Sequence, residues 1–390
     1  MIHLFINALA ASAGAGLTYV RNVVPHLALR DDVKATILLD PRLRRELQDS
    51  PNLEFLERDS FAKVPRRFWF EQRAMPDLIQ DSRANVLLSA GNFALWRSPV
   101  PQILLSGNSL YTSRDFFSDL RARNEYRLWI DTQLKAVFAK WSIAAADCVV
   151  APSEAFAAEL RRWTGKPVAA IHHGFDRDFF VRDQSSLPDT IRQKLDSSVP
   201  GLRLLFVSHY NYYRNFETLI RALPMIKEKI KPRPVRLLLT CRLAAGESPG
   251  AYRPGSAAAL VRQLGLAKEV VELGSVPYRF LHRVYEAAHM YVTPAYTETF
   301  AHPLVEAMSS GLPVVASDLP VHREICGSAA VYFDRFSAQE LAQRVLELAE
   351  SPELAARLSR VGVERSTDFS WSKHVDQIIS VAARLVSKAS

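Results

Sequence analysis

The first half of the chain alternates short apolar runs with longer segments whose apolar positions recur every three or four residues. The run HLFINAL is followed by the small-residue stretch AASAGAG and then by LTYVRNVVPHLALR, which has helical spacing. Strands that alternate with helices in this way predict a parallel sheet covered by helices on both faces. The further strand-like runs are KATILLD, NVLLSA, PQILLS, DCVVAPS and PVAAIHH, and the longest helical pattern covers residues 124–146.

The alternation lapses near the middle of the chain and then resumes. Residues 176–201 are polar and carry two prolines, as an inter-domain segment does. After it come the strand-like runs LRLLFVS, VRLLLTC, EVVELG and MYVTPA, with helical patterns at 215–230, 256–265 and 278–288. The pattern therefore predicts an α/β protein of two doubly wound domains in series. Ligands of such sheets bind beyond the carboxyl ends of the strands, so we expect the site in the cleft between the domains.

Composition narrows the class of protein without naming a function. The 390 residues are 48% hydrophobic and 23% charged, which is ordinary globular composition with enough apolar mass for two cores. The net charge of +8 suits nucleic acid, an anionic membrane surface or a phosphorylated small molecule as a partner, or it serves solubility alone. Cys148, Cys241 and Cys326 are far apart in the sequence, which predicts buried thiols in a reducing compartment and no metal site.

The N-terminus has the apolar character of a secretion signal but lacks its basic leader. The opening MIHLFINALAASAGAG has no Lys or Arg before Arg21, so a buried first strand running into a glycine loop explains it better. No uninterrupted apolar run reaches the roughly 20 residues of a membrane-spanning helix. We therefore expect a cytoplasmic protein.

Two carboxylates eight positions apart, Glu298 and Glu306, lie in the stretch AYTETFAHPLVEAMSSGLPVVAS. A strand ends before Glu298, Pro303 suits the first turn of a helix, and Gly311 suits its end. The two glutamates would then bracket a helix N-terminus, which favours an anion. This layout suits a nucleotide-diphospho-sugar, which carries hydroxyls at both ends and negative charge in the middle. The alternative is two ordinary surface glutamates.

The stretch ETFAHPLVEAMSSGLPVVASD resembles the E-x7-E segment of the family 4 retaining glycosyltransferases, which have the GT-B architecture. The resemblance extends over most of the chain and is most specific in the C-terminal half. Other segments that resemble the family are SAGAGLTYVRNVVPHL, CVVAPSEAFAAEL, IHHGFD, LFVSHYNYYRNFETLIRAL, VVELGSVPYRFLHRVYEAAHMYVTPAYTETF and DFSWSKHVDQII. It implies two Rossmann-like domains facing across a cleft: an acceptor-side domain at 1–181, an inter-domain segment at 182–200, a nucleotide-sugar-binding domain at 201–370, and a last helix at 371–390 that returns to the first domain.

The resemblance implies a role for each residue around the two glutamates. Glu306 would hydrogen-bond the ribose hydroxyls of the nucleotide, because a carboxylate accepts from two vicinal hydroxyls at once. Glu298 would hold hydroxyls of the transferred sugar near its reacting carbon. The backbone at Phe300, Ala301 and His302 would contact the sugar and the diphosphate. Many relatives have glycine where this chain has Ala301.

The positive charge expected beside the leaving diphosphate departs from the family pattern. Relatives usually carry Arg and Lys after the first strand of the second domain, where this chain has SHYNYYRN. Arg214 matches the lysine position and can fork onto two phosphate oxygens. His209 stands where an arginine is usual; it would substitute weakly for that charge, or it is a neutral loop histidine. The resemblance also implies that backbone near Val276 recognises the base.

Three residues of the first half complete the predicted site. In the family the first glycine loop approaches the donor phosphate, and here it would contain Gly14 and Gly16, of which Gly16 matches better. A lone G-x-G is equally typical of a tight turn. Asn108 stands where many relatives have a histidine near the donor sugar. It could hydrogen-bond a sugar hydroxyl but cannot act as a base, and a simple turn asparagine is the alternative.

A metal site is not expected, although one motif imitates it. Asp176-x-Asp178 is similar to the metal motif of the other glycosyltransferase architecture, but it lacks supporting carboxylates and lies in the inter-domain segment. The adjacent His172 and His173 are poorly spaced to bind one metal together, and loop histidines are the simpler interpretation. We expect no cofactor besides the nucleotide-sugar donor.

Residues 63–79, KVPRRFWFEQRAMPDLI, interleave basic and aromatic side chains. This mixture suits an anionic membrane surface or RNA, and the alternative is a packed helix with a solvated basic face. We expect no nucleic-acid partner, and peripheral contact with a membrane that carries a lipid-linked acceptor is a hypothesis that this clustering motivates. The other arginines that motivate this hypothesis are Arg97, Arg114, Arg121, Arg123 and Arg127.

The sequence thus predicts a retaining, metal-independent transferase that moves a hexosyl group from a nucleotide-diphospho-sugar to a hydroxyl acceptor in polysaccharide or glycoconjugate assembly. In the mechanism that the resemblance implies, the leaving phosphate oxygen takes the acceptor's proton, so positioning and charge stabilisation carry the catalysis. A nucleotide-binding protein with lost catalysis remains an alternative because of the altered SHYNYYRN loop. A glycoside hydrolase is another, although its two carboxyl groups must face one sugar, and a dehydrogenase has only GAG in its favour. The base, sugar, acceptor, linkage and oligomeric state are not readable from the sequence.

Overall fold

A computed structural model describes residues 1–11, 14–59, 64–246 and 252–389. The chain divides into two compact units, each of which takes up more than one stretch of the sequence. The first unit comprises Met1–Thr112, Trp129–Gly174 and Ser370–Ser390, and the second comprises Ser113–Leu128 and Phe175–Phe369.

Every strand of the described residues pairs in parallel, in one of two sheets. The strands are β1 Ile2–Asn7, β2 Val33–Leu39, β3 Leu53–Glu57, β4 Val86–Ser89, β5 Gln102–Leu105, β6 Cys148–Ala151, β7 Ala169–Ala170, β8 Leu202–Phe206, β9 Val235–Leu239, β10 Val270–Glu272, β11 Met290–Thr293, β12 Val314–Ser317 and β13 Ala330–Phe333. The first sheet has the order β3-β2-β1-β4-β5-β6-β7, and the second has the order β10-β9-β8-β11-β12-β13. The strand order reverses between β1 and β4 and between β8 and β11, where doubly wound sheets bind ligands.

Helices connect the strands in both units. They are α1 Gly14–Ala28, α2 Pro41–Arg44, α3 Val64–Arg73, α4 Met75–Ser82, α5 Arg114–Ala122, α6 Tyr126–Ala145, α7 Glu154–Thr164, α8 Arg177–Val181, α9 Asp189–Ser197, α10 Phe216–Lys229, α11 Gly255–Gln263, α12 Tyr278–Glu286, α13 His302–Ser309, α14 Pro320–Cys326, α15 Ala338–Glu350, α16 Pro352–Ser366 and α17 Trp371–Ala389. Short 3-10 turns lie at Ser109–Tyr111, Tyr212–Arg214 and Gly327–Ala329. No helix of the described residues is long and apolar enough to cross a bilayer.

The central strands are buried on both faces, which is why their sequences are continuous apolar runs. All four residues of β4, β11 and β12 are buried. The core of the first unit also includes residues of the last helix, among them Trp371, Val375 and Ile379, packed with residues of β1 and α1. Helix α17 is therefore part of the first unit, although it ends the sequence.

Both predicted α/β domains are confirmed as doubly wound parallel sheets. Among the elements that the sequence analysis missed are the edge strands β3 and β13, the short helix α9, and helices α15 and α16. In β3, Glu54 and Glu57 interrupt the apolar residues, since an edge strand is only partly covered. The run PVAAIHH yields only the two-residue strand β7.

The division of the chain differs from the predicted bounds at two places. Residues 175–200, predicted as the end of the first domain and an inter-domain segment, belong to the second unit. Lys194 of α9 donates a 2.5 Å hydrogen bond to the carbonyl of Glu272, which attaches the predicted linker to the end of β10. The segment Ser113–Leu128 also belongs to the second unit, although it lies inside the predicted first domain.

The three cysteines are free thiols. Cys241 and Cys326 are buried, and burial raises the pKa of each thiol to about 12. Cys148 is partly buried, and its thiol pKa is also raised by burial. All three thiols therefore stay protonated near neutral pH, as expected for structural cysteines.

Candidate active site

Helix α13 begins at the carboxyl end of β11, inside the E-x7-E segment. Ala301 precedes it with φ of 65° and ψ of 65°, the left-handed conformation that glycine adopts without strain. Pro303 lies in the first turn and Gly311 follows the last turn with φ of 72°, as the sequence predicts. The first N–H groups of a helix have no acceptor within it, so this start can bind an anion. The glycine usual in relatives at position 301 is explained by the backbone conformation found here.

The turn before α13 is fixed by the side chain of Phe300. Phe300 is 1% exposed, and its ring centroid lies 5.4 Å from that of Phe369 and 4.9 Å from that of His302. The side chain is thus enclosed by the protein, and contact of the Phe300 backbone with a ligand stays a prediction. A buried anchor of this kind holds the helix start rigidly in place.

Arg214 and Glu298 form an ion pair between Nη1 and Oε1. The side chain of Arg214 is 20% exposed and that of Glu298 is 9% exposed, so water screens the pair weakly. Arg214 Nε is buried and has no hydrogen-bond partner among the described residues. The two residues predicted to act on the diphosphate and the sugar are therefore neighbours, and each neutralises the other.

Backbone and side-chain hydrogen bonds hold the loops of Arg214 and Glu298 together. The N–H of Tyr296 donates to the carbonyl of Tyr213 at 3.0 Å. Asn215, with φ of 55°, donates from its side chain to the carbonyls of Pro294 and Arg335 at 3.2 and 2.6 Å. The loop after β8 is thereby fixed against the loop after β11, which brings Arg214 to Glu298.

Glu306 lies one turn inside α13, is 5% exposed, and binds two tyrosines of α12. Tyr285 donates a 2.8 Å hydrogen bond to its Oε2, and the Tyr278 hydroxyl also bonds the carboxyl group. Burial raises the pKa of Glu306 to about 7, and the tyrosine hydrogen bonds only partly oppose that rise. The carboxyl group is therefore poised to change charge near neutral pH.

The predicted base-recognition position lies close to Glu306 in the fold. Val276 is half-buried in the loop before α12, two residues from Tyr278. Since Tyr278 bonds Glu306, the loop of Val276 and the predicted ribose-binding carboxylate lie in the same region of the second unit. Glu306 and Glu298 have different partners, two tyrosines of α12 for the first and Arg214 for the second.

His209 is exposed on the loop after β8. Its carbonyl accepts hydrogen bonds from the Ser208 hydroxyl at 2.6 Å and the Asn211 side chain at 3.3 Å. These bonds shape the loop without engaging the imidazole ring. Its part in phosphate binding stays a prediction.

His322 of α14 is a residue that the sequence analysis missed. It is fully buried, its Nδ1 lies 2.9 Å from the Ser317 carbonyl, and its Nε2 has no hydrogen-bond partner among the described residues. Burial lowers the pKa of His322 to about 4, and the charge of Arg214 lowers it further. The ring is thus neutral and close to Arg214. Its position just after β12, at the carboxyl end of a central strand, was the signal that could have identified it.

A second group of missed residues lies in the segment Ser113–Leu128. Tyr296 donates a 2.9 Å hydrogen bond to Asp119 of α5, and Arg123 pairs with Asp119 at 2.7 Å. Arg123 also pairs at 3.0 Å with Glu217, which is only 6% exposed. Arg123 is therefore a half-buried cation that two carboxylates of the second unit hold in place.

The remaining predicted residues lie in the first unit. Gly14 and Gly16 are in the first turn of α1, so they belong to the helix and not to a loop. A Cβ on Gly16 would lie 3.3 Å from the Ala11 Cα, which leaves little space for a side chain. Asn108 accepts a 3.1 Å hydrogen bond from the Leu110 N–H and caps the 3-10 turn at Ser109–Tyr111. Contacts of these three with a donor stay predictions.

The residues that imitate a metal motif have structural roles. Asp176 caps α8 by accepting a 3.0 Å hydrogen bond from the Phe179 N–H. His173 stacks on Trp371 with ring centroids 5.5 Å apart, and the His172 carbonyl lies 2.8 Å from Nδ1 of His374. Within the described part of the chain, no three His, Cys, Asp or Glu side chains are grouped as a metal site requires.

Two family models match consecutive parts of the chain. The model described as Glycosyltransferase Family 4 matches residues 17–179, and the model described as Glycosyl transferases group 1 matches residues 188–365. The chain belongs to the family 4 glycosyltransferases. The match to the model described as Glycosyl transferases group 1 includes the whole stretch from Glu298 to Glu306.

Named relatives match about half of the chain. D-inositol 3-phosphate glycosyltransferase of Corynebacterium aurimucosum is 26% identical over 225 residues, which is 56% of this chain and 52% of that protein. The enzyme of the same name from Mycolicibacterium smegmatis is 27% identical over 224 residues, or 56% of this chain and 48% of that protein. The chain thus spans about half the length of the curated relatives that it matches.

Solved structures match over the full length. Sucrose-phosphate synthase from Thermosynechococcus elongatus has a TM-score of 0.76 at 20% identity and covers 100% of both chains. HepE of Anabaena, solved in complex with UDP-glucose, has a TM-score of 0.73 at 17% identity and covers 99% of this chain and 100% of its own. At these identities the likeness shows the fold, and it confirms the predicted GT-B class of two Rossmann-like domains.

Proposed function

We propose that this glycosyltransferase moves a hexosyl group from a nucleotide-diphospho-sugar to a hydroxyl acceptor, with retention at the anomeric carbon and without a metal ion. The observation that carries the proposal is the ion pair of Arg214 with Glu298 at the start of α13. In this ion pair a cation and a carboxylate lie beside a helix N-terminus, at the carboxyl ends of β8 and β11. The cation and the helix N-terminus suit a diphosphate, and the carboxylate suits the hydroxyls of the sugar joined to it.

In the proposed cycle, Arg214 exchanges its partner when the donor binds. Its guanidinium leaves Glu298 for the oxygens of the diphosphate, which the N–H groups at the start of α13 also contact. Glu298 then accepts hydrogen bonds from hydroxyls of the sugar. Glu306 and the loop of Val276 hold the ribose and the base.

The chemical step requires no general base from the protein. The bond between the anomeric carbon and the leaving phosphate oxygen breaks, and a bond forms from that carbon to the acceptor oxygen on the same face of the sugar. The acceptor's proton passes to the leaving phosphate oxygen. Arg214 and the helix start stabilise the negative charge that develops on the diphosphate.

A screen of donors and acceptors tests the proposal. The protein is incubated with UDP-, GDP- and ADP-hexoses, first for a thermal shift and then for release of nucleoside diphosphate. The acceptors tested include inositol phosphate and sugar phosphates. One relative is named as a D-inositol 3-phosphate glycosyltransferase, and one similar structure is named as a sucrose-phosphate synthase. We expect diphosphate release that depends on an acceptor, an anomeric configuration unchanged by NMR, and full activity with a chelator present.

The Glu298→Gln variant separates the proposal from its alternatives. It keeps the side chain's shape but removes the charge, so transfer should fall by roughly a thousandfold while the protein stays folded. Unchanged transfer by this variant would contradict the proposed site. Hydrolysis of simple aryl glycosides would indicate a glycoside hydrolase, and donor binding without turnover over the whole panel would indicate a nucleotide-binding protein with lost catalysis.

The acceptor side of the proposal includes a membrane. A lipid-linked acceptor on the cytoplasmic face requires a protein that rests on that face, and the net charge of +8 favours an anionic surface. Polysaccharide or glycoconjugate assembly is the process that such an acceptor serves. Transfer to acceptors embedded in vesicles, compared with transfer to the same acceptors in detergent, tests this part separately.

A further inference from the structure

Helix α6 carries a stripe of exposed apolar side chains on the first unit. Ile130, Leu134, Val137 and Trp141 are 53%, 57%, 46% and 54% exposed. Their spacings of four, three and four residues place them on one helix face. The opposite face is the buried one, with Ala136, Ala139 and Ile143 among its residues. This helix is therefore apolar on both faces, and the described residues leave one of those faces uncovered.

Two further tryptophans extend the stripe into a wider patch. Trp69 of α3 is 56% exposed, and Trp96 in the loop between β4 and β5 is 41% exposed. Ring centroids of Trp96 and Trp141 lie 6.2 Å apart, and Phe68 lies 5.1 Å from Trp96. The rings pack against one another, so the patch is a preformed surface and not a set of separate side chains. Its exposed apolar area is on the order of several hundred Å², which in a monomer marks an interaction site.

The elements that form the patch carry an excess of positive charge. Residues 64–73, 95–98 and 129–145 contain six basic and two acidic residues. Both acidic residues already have cationic partners, Glu71 with Arg67 at 3.5 Å and Asp131 with Lys135 at 2.6 Å. The four other basic residues border the patch on the same elements: Arg66, Arg73, Arg97 and Lys140.

We propose that this aromatic and basic face, centred on α6, binds the surface of an anionic lipid bilayer. Tryptophan suits the boundary between headgroups and acyl chains, and Arg and Lys beside it suit acidic headgroups. A second copy of the chain is a poorer occupant, because a two-fold contact would bring the same basic border against itself.

The surface proposed here includes only some of the arginines that the sequence analysis grouped. Of those arginines, four belong to the second unit: Arg114, Arg121, Arg123 and Arg127. Arg123 is also held in ion pairs. The apolar residues of α6 take their place at the centre of the surface. The proposal does not depend on transferase activity, since it concerns binding alone.

Co-sedimentation of the full chain with vesicles tests the proposal. One vesicle type contains phosphatidylglycerol at about one third of the lipid, and the other contains phosphatidylcholine alone; both are used at low and high salt. We expect binding to the anionic vesicles at low salt, weakened by salt, together with a blue shift of tryptophan fluorescence. The triple variant Trp69→Ser/Leu134→Ser/Trp141→Ser and the charge variant Arg66→Glu/Arg97→Glu should each weaken binding at least roughly tenfold.

Matched controls separate the patch from general surface effects. Leu29→Ser replaces an apolar side chain of the first unit that is 82% exposed, and Arg42→Glu reverses an exposed charge on α2. Both should bind vesicles like the wild type, and circular dichroism should show all variants folded. Absence of wild-type binding to anionic vesicles at low salt overturns the proposal, as does binding that the patch variants do not weaken. A wild-type dimer in sedimentation that the patch variants dissociate, without vesicle binding, would assign the face to a second copy instead.

Discussion

Tyr296 donates a 2.9 Å hydrogen bond to Asp119, a residue 177 positions earlier in the sequence. Burial raises the pKa of Tyr296 far above its usual value, and the Asp119 charge raises it further, so the hydroxyl remains a donor. The N–H of the same tyrosine donates to the Tyr213 carbonyl. Tyr296 therefore joins α5 to the two loops that carry Arg214 and Glu298.

The Tyr296→Phe variant should lose activity while the fold is retained. Removal of the hydroxyl leaves Asp119 with Arg123 as its partner, so the free energy of unfolding should fall by only about 1 kcal/mol. We expect a roughly tenfold lower kcat with a smaller change in KM, because the loops are less well positioned. Tyr332→Phe, which removes a 2.7 Å bond to the Gly327 carbonyl, is the matched control. Equal kcat values for the two variants would count against a positioning role.

The Glu298→Gln variant should bind nucleoside diphosphate more tightly than the wild type. In the unliganded protein Glu298 competes with phosphate for Arg214, and the neutral amide competes less. We expect affinity for the product diphosphate to rise by up to roughly tenfold, or about 1.4 kcal/mol, measured by calorimetry. Glu350→Gln on the exposed end of α15 serves as the control. Weaker binding by Glu298→Gln would contradict the exchange of partners by Arg214.

Nucleotide affinity should rise with pH through the region of pH 7. The free Glu306 carboxyl has a pKa of about 7, and ribose hydroxyls donate to its ionised form. Binding then favours loss of the proton, so calorimetry in buffers of different ionisation enthalpy should detect proton release near pH 6.5. Glu306→Gln should bind nucleotide more weakly and without this pH dependence. A flat affinity profile for the wild type would contradict the role of Glu306.

Ionisation of the Glu306 carboxyl group, which should strengthen nucleotide binding as pH rises, should lower the stability of the folded protein. The folded state holds the Glu306 proton up to pH about 7, whereas the usual pKa of a glutamate is about 4.5. Between these values the unfolded state binds fewer protons, so the free energy of unfolding falls as pH rises, by up to about 3 kcal/mol. Glu306→Gln should therefore be more stable than the wild type at pH 8 and similar to it at pH 4.5. Denaturant unfolding at the two pH values measures the difference.

The Ala301→Gly variant should stabilise the second unit. At φ of 65° an alanine costs about 1–2 kcal/mol relative to glycine, and the greater freedom of glycine in the unfolded chain offsets about half of that. We expect a gain of up to about 1 kcal/mol. Ala356→Gly, an exposed position within α16, should instead lose about 1 kcal/mol. Loss of stability in both variants would contradict the left-handed conformation at position 301.

The strands around the site were predictable because burial on both faces leaves a continuous apolar run. β8 and β11 follow from LRLLFVS and MYVTPA within one or two residues. The start of α13 followed from Pro303 and the end from Gly311, since both have backbone requirements that are visible in sequence. Edge strands such as β3 lack that signal, because half of their surface is uncovered.

The partners of the site residues were not predictable from the sequence. Arg214 and Glu298 were each identified, but 84 positions separate them and nothing in the local sequence indicates their ion pair. The burial of Glu306 between Tyr278 and Tyr285 likewise depends on how α12 packs against α13. The exposed face of α6 was missed because a helix with apolar residues all round indicates burial, not an open surface.

The inclusion of Ser113–Leu128 in the second unit determines how the protein can be dissected. A fragment that starts at residue 175 or 201 would lack Asp119 and Arg123, and Glu217 would keep a buried negative charge without its cation. Exchange of halves with another family member at the middle of the chain would replace Asp119 while retaining Tyr296. A chimera designed to transfer donor specificity should therefore take two separate segments from the same parent protein, α5 and the C-terminal half.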